Sequence, residues 1–204
     1  MRNLIFLLIM SLTFVMGGCA TAPDTPLAAS ATPNILPRLD PSPTPSGSTL
    51  PLTCQVTDLK VYVNERDGYC FAYPTRFTLG DQPAGNPEIL GPAVDDSHEP
   101  IHARLNVEVE PVQADMTLRE QAESYLKKFS VFDPATFTWS QVTVGGEPGW
   151  MVEPVTAMLA YRIVFIQHRG NIYRLLFWPV DIPHAQADLD DLTQTMLGSF
   201  SFTR

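Results

Sequence analysis

The stretch YRIVFIQHRGNIYRLLFW, Tyr161 to Trp178, decides the fold. Its two halves are rich in β-branched and aromatic residues, the composition of strands. Each half is apolar at odd and even positions alike, so both faces need cover, and such strands belong in the middle of a sheet. Between them, Gly170-Asn171 suits a two-residue hairpin turn with glycine first. An antiparallel hairpin is therefore expected at the centre of this protein.

The flanking segments add further elements. FTWSQVTVGGEPGWMVEPV, Phe137 to Val155, reads as two more strands around a glycine-rich turn. GGEPG is not a phosphate cradle, because such a loop opens a helix and here strands lie on both sides. LKVYV (Leu59–Val63) and YCFAYP (Tyr69–Pro74), separated by NERDG, form a third hairpin, with Tyr69, Phe71 and Tyr73 sharing the core face. Two helices complete the pattern. Thr117 stands three residues before Glu120 as in a capping box, and Leu118, Ala122, Tyr125, Leu126 and Phe129 follow at helical spacing. In DLDDLTQTMLGSF the apolar stripe is Leu189, Leu192, Met196 and Phe200. Asp188, Asp190 and Asp191 are expected in the first turn of that helix, and Gly198 is expected to end it.

YVNERDGYCFAYPTRFTL, Tyr62 to Leu79, resembles the opening of PsbP-like domains, where a glycine turn leads to an aromatic strand ending in Tyr-Pro. The later order is similar too: a helix with Tyr125-Leu126, a hairpin around VGGEPGW, a long hairpin ending in GNIYRLLF, and a last helix running into Ser199-Phe200. The resemblance covers Val56 to Phe202. It implies an α+β fold, an α/β/α sandwich with a central antiparallel sheet. Members of the fold group include an extrinsic subunit of photosystem II, a Ran-binding nuclear-transport factor and bacterial lipoproteins, and the resemblance implies protein binding more than catalysis. The matching positions are core and turn residues, so no functional residue is carried over.

The N-terminal region supplies an address. Arg2, an apolar run from Leu4 to Met16 and then Gly17-Gly18 follow the order of a secretory signal. VMGGCAT resembles the lipobox of bacterial lipoproteins, with Met16 in place of the usual Leu, and that resemblance makes Cys19 the lipidated, mature N-terminus. An uncleaved membrane anchor is the alternative, since the run extended through Ala22 approaches the roughly 20 residues that span a bilayer. Residues 1–18 are thus expected to be a lipoprotein signal peptide. Residues 19–51 hold eight of the nineteen prolines together with Ser, Thr and Ala, the composition of a disordered tether reaching at most on the order of 100 Å. Residues 52–204 are the folded domain. The expected location is the cell membrane or outer membrane, facing the extracytoplasmic side, with acylated Cys19 holding the protein to the lipid bilayer.

Without Cys19, Cys54 and Cys70 remain, an even pair in a compartment where disulfides persist. A disulfide between Cys54 and Cys70 is expected, with two buried free thiols as the alternative. The formal net charge of −9 becomes about −10 once Arg2 is removed, and no basic run or basic helix face is present, so nucleic acid is not an expected partner.

HEPIH, His98 to His102, satisfies the zinc-protease pattern H-E-x-x-H, which needs a helix to bring both histidines to one metal ion. Pro100 opposes a helix. IHARLNVEVE alternates, with Ile101, Ala103, Leu105, Val107 and Val109 on one face and His102, Arg104, Asn106, Glu108 and Glu110 on the other. Along a strand His98 and His102 would stand about 13 Å apart, too far for one zinc ion even with Glu123 as a third ligand. Asp95, Asp96, His98 and Glu99 then form a solvated acidic loop, with weak cation binding as the alternative. His168 and His184 fall at element ends, and Ser199 lacks the G-x-S-x-G setting of a hydrolase. No catalytic residue, metal site or cofactor is assigned. The expected function is a lipid-anchored binding or structural module meeting another protein at the cell surface, the alternative being a small-ligand carrier or a hydrolytic enzyme with an unrecognised site.

Overall fold

The computed structural model describes residues 50–80, 86–93 and 102–203. The signal region, Cys19, nearly all of the tether, and Asp95 to Ile101 lie outside the described residues. The strands are β1 (Leu59–Asn64), β2 (Tyr69–Pro74), β3 (Thr78–Gly80), β4 (Glu88–Ala93), β5 (His102–Pro111), β6 (Thr138–Val144), β7 (Glu147–Thr156), β8 (Ala160–His168), β9 (Asn171–Trp178) and β10 (Ser201–Phe202). The helices are α1 (Leu118–Phe129) and α2 (Pro183–Ser199).

Seven strands form one antiparallel sheet in the order β3-β4-β5-β9-β8-β7-β6. The strand β9 is its centre and β8 is next to it, as their two-sided apolar sequences require. One face of this sheet presents Ala103, Leu105, Val107, Val164, Ile166, Tyr173, Leu175 and Phe177. It is covered by Leu189, Leu192 and Met196 of α2 and by Tyr69, Phe71 and Tyr73 of β2. On the other face Val152, Ile163, Phe165, Ile172 and Leu176 pack against Ala122 and Leu126 of α1. The result is an α+β fold in three layers with the antiparallel sheet in the middle.

The hairpin β1-β2 does not join the central sheet. It forms a second, three-stranded sheet with β10, in the order β1-β2-β10. The aromatic row of β2 faces the core as its alternation requires, but Cys70 and Ala72 on the reverse face are also fully buried. Cys70 is bonded to Cys54 in the short 3-10 turn Leu52–Cys54, and the backbone N–H of Ala72 donates to Ser199 Oγ at 2.9 Å.

Three local expectations are corrected. The turn of the central hairpin is Arg169-Gly170, since His168 pairs with Asn171 and Asn171 already belongs to β9. Both turn residues have positive φ, 44° and 81°, as a turn matched to the strands' right-handed twist requires. The second helix begins at Pro183, whose fixed φ suits the first helical position, and Ala185 extends the buried stripe by one turn. The three aspartates consequently lie beyond the first turn and pair sideways: Arg76 with Asp188 and Asp191, and Arg162 with Asp190. Gly198 lies inside the helix, which runs on through Ser199.

Candidate functional site

Two clefts flank α1, both built where that helix crosses the central sheet. The capping box holds its start: Thr117 Oγ1 accepts from Glu120 N–H, and Glu120 accepts from Thr117 N–H at 2.8 Å. This arrangement holds the Glu120 carboxyl below the usual carboxylate range.

The first cleft, about 320 Å³, opens between α1 and the β5-β9-β8 strands. Its apolar floor is Phe165 and Ile172, and its wall is Tyr125 and Phe129. At its edge Arg174, only 6% exposed, projects from the centre of β9. Glu108 stands opposite on β5 and accepts from Arg174 Nε at 2.9 Å, while Glu110 accepts from both terminal nitrogens at 2.6 and 2.7 Å. The guanidinium also lies 4.3 Å from the centre of the Tyr125 ring. Burial works against the Arg174 charge, but the two carboxylates outweigh it and raise its pKa. In return the hydrogen bond from Arg174 holds the Glu110 carboxyl below its ordinary range. Gln121, also lining the cleft, accepts from Gln113 N–H and donates to the Met116 carbonyl, which fixes the loop before α1. These polar groups are committed to one another and to the backbone.

The second cleft, about 490 Å³, lies between the start of α1 and the hairpin β6-β7. Arg119 stacks over Trp139 at 3.3 Å from the ring centre and lies 5.0 Å from Trp150, and it pairs with Glu123 one turn on. Gln141 and Thr143 on β6 are exposed along its rim.

A third feature is apolar. Ser130, just past α1, donates from Oγ to the Thr156 carbonyl at 2.5 Å, which ties the α1-β6 loop to the end of β7. The residues that follow on each side are exposed: Val131 (93%), Phe132 (51%), Met158 (98%) and Leu159 (40%). Val131 and Phe132 follow Ser130, and Met158 and Leu159 follow Thr156, so the two exposed pairs lie on the two segments that this bond joins.

The chain has matches among solved structures. No family profile and no curated protein matches it. Among solved structures, cyanobacterial PsbP from Synechocystis sp. PCC 6803 is similar at 17% identity, over 72% of this chain and 94% of that one, with a TM-score of 0.48. LpqN, involved in cell envelope biogenesis of Mycobacterium tuberculosis, is similar at 14% identity, over 74% and 95%, also with a TM-score of 0.48. A PsbP protein is thus among the structures to which this chain is similar.

The sequence-derived candidates separate clearly. Cys54 and Cys70 are joined in a disulfide, with Cα atoms 6.3 Å apart. Cys19 and His98 lie outside the described residues. His102 opens a strand rather than sitting in a helix, and its Nδ1 lies 2.7 Å from the Gly91 carbonyl. The helical convergence that H-E-x-x-H needs is not available to it. Glu123 is engaged by Arg119, and His168 bonds Glu147 at 2.8 Å while stacking on Phe202. Ser199 Oγ is held by the β2 backbone and its own helix. Among the described residues, no helix is long and apolar enough to cross a membrane. Neither cleft was named from sequence. A lone arginine in the apolar run NIYRLLFW, facing an acidic row on a neighbouring strand, was the signal for the first. Two tryptophans brought together across the GGEPG hairpin were the signal for the second.

Proposed function

We propose that this chain is a lipid-anchored extracytoplasmic lipoprotein whose domain is a non-catalytic module that binds another protein. The observation that carries the reading is the apolar end formed by Val131, Phe132, Met158 and Leu159. A catalytic site would need convergent polar groups free to act on a substrate. In the first cleft Arg174, Glu110 and Gln121 are engaged with Glu108, with one another or with backbone, whereas the exposed apolar end calls for a partner surface.

The 3-10 turn at Leu52–Cys54 lies beside β10 and the start of β2. Through Phe202 stacked on His168, this is the end of the sheet where β8 turns into β9. Met158 and Leu159 precede the other end of β8, whose nine residues span about 30 Å. The apolar end therefore lies at the opposite end of β8 from the Leu52–Cys54 turn. The disulfide supports the oxidising side of the membrane.

Two measurements test the reading. Cys19→Ala is expected to move the protein out of detergent-requiring membrane fractions, and acyl labelling that persists in that variant rules out the anchor. A photo-cross-linking residue at Met158 is expected to give a discrete adduct with another protein. The same residue at exposed Arg66 should not, and Val131→Asp should abolish the Met158 adduct. Identical adducts from both positions would remove the apolar end as the binding surface.

A further inference from the structure

The strand β6 is an edge of the central sheet, and the described residues leave its outer side without a neighbouring strand. Edge strands are ordinarily kept short, charged, bulged or broken by proline, because open N–H and C=O groups recruit other strands. The opposite edge, β3, is three residues long. By contrast β6 runs seven residues in unbroken register with β7, and no charged residue occurs from Pro134 to Gly146.

The hairpin fixes which backbone groups of β6 are open. Gly145 and Gly146, both at positive φ, form the two-residue turn, so Val144 and Glu147 are a hydrogen-bonded pair. Pairs alternate from there. Thr143 faces Pro148, which has no N–H to give, and Gln141 faces Trp150 as the next non-bonded pair. The backbone N–H and C=O of Trp139, Gln141 and Thr143 therefore point outward from the sheet.

We infer that β6 pairs antiparallel with β6 of a second copy of this chain, with Gln141 opposite Gln141 on a two-fold axis. The geometry is self-complementary: this register sets Trp139 against Thr143 and Thr143 against Trp139, so all three open positions meet open positions. A two-fold interface of this kind buries the same surface on both copies. Charge does not bar a second copy at this edge. A chain of net charge −9 repels itself, and like charges opposite each other on paired strands are destabilising, yet this edge brings none together. The inference rests on β6 and not on the lipid anchor, although tethering two copies to one surface would raise their effective concentration.

Sedimentation of the full-length chain over a range of concentrations tests the pairing. A reversible dimer is expected, and Gln141→Lys, which sets two cations face to face only in the dimer, should weaken it by about tenfold or more without changing the melting temperature at concentrations where both chains are monomeric. Gln141→Pro removes an outward N–H and leaves the bonded β6-β7 pairs intact, so it should also give monomer. If that variant fails to fold, the lysine variant decides. Gln141→Cys should be bridged by a short thiol cross-linker, and Arg66→Cys should not. A parent that stays monomeric, a dimer indifferent to Gln141→Lys, equal bridging from both cysteines, or a monomer that instead captures a foreign strand on β6 would each overturn the inference.

Discussion

Arg174 carries a full charge in the middle of the sheet, and its neighbours decide what that charge does to stability. Its side chain is 7% exposed, whereas those of Glu108 and Glu110 are 28% and 56% exposed. The two sides of this cluster are therefore unequal. Removing both carboxylates strands a buried guanidinium, which costs about 3 kcal/mol or more, while replacing Arg174 with Met leaves two glutamates that can still reach water. Glu108→Gln with Glu110→Gln is thus expected to lower the unfolding free energy more than Arg174→Met, as urea titration at neutral pH would measure. The pH dependence has a definite sign. The Glu110 pKa is lowered on folding, so its contribution is fully present above the ordinary glutamate range and is lost as pH falls through the depressed value. Acid unfolding of Glu110→Gln should accordingly show a shallower loss of stability in that window than the parent.

The elements were legible where one physical signal dominated, and less so at their ends. Two-sided apolarity placed β8 and β9 at the centre, alternation placed β5, and the Thr117–Glu120 spacing placed the start of α1. The strands β3, β4 and β10 went unread because they are short or carry little alternation. The turn Arg169-Gly170 was displaced by one residue in the reading because Gly170-Asn171 has equally good turn chemistry, and only the pairing register distinguishes them. The clefts were hidden for a similar reason: they arise from which strands become neighbours. Gly198 offers a test of the corrected helix end. It lies in α2 without positive φ, and a Cβ there would meet nothing within 4 Å. Gly198→Ala should therefore stabilise by roughly 0.5–1 kcal/mol, whereas a left-handed stop would make the same change destabilising. Gly170→Ala, at φ 81°, should destabilise. Thermal melts of the two variants should move in opposite directions.

At the scale of the whole molecule, the disulfide sits at the first described turn of the fold. Cys54 lies in the turn Leu52–Cys54, and Cys70 lies in β2 between β1 and β10. The bond therefore attaches the first described turn to the middle strand of the small sheet, whose aromatic face packs on the main core. Thr53 and Ser201 are hydrogen-bonded beside it. The turn leaves Leu52 exposed, and the covalent link joins it to β2. The bond also closes a loop of sequence separation 16 in the unfolded chain, which stabilises the fold by about 3 kcal/mol. In a domain of this size that corresponds to a melting shift on the order of 10 °C. Cys54→Ser with Cys70→Ser, or reduction of the parent, is expected to lower the melting temperature by that order, while Cys19→Ala should leave it unchanged. Two thiols titrating in the native oxidised protein, or a melting temperature indifferent to reduction, would separate the bond from the stability of the fold.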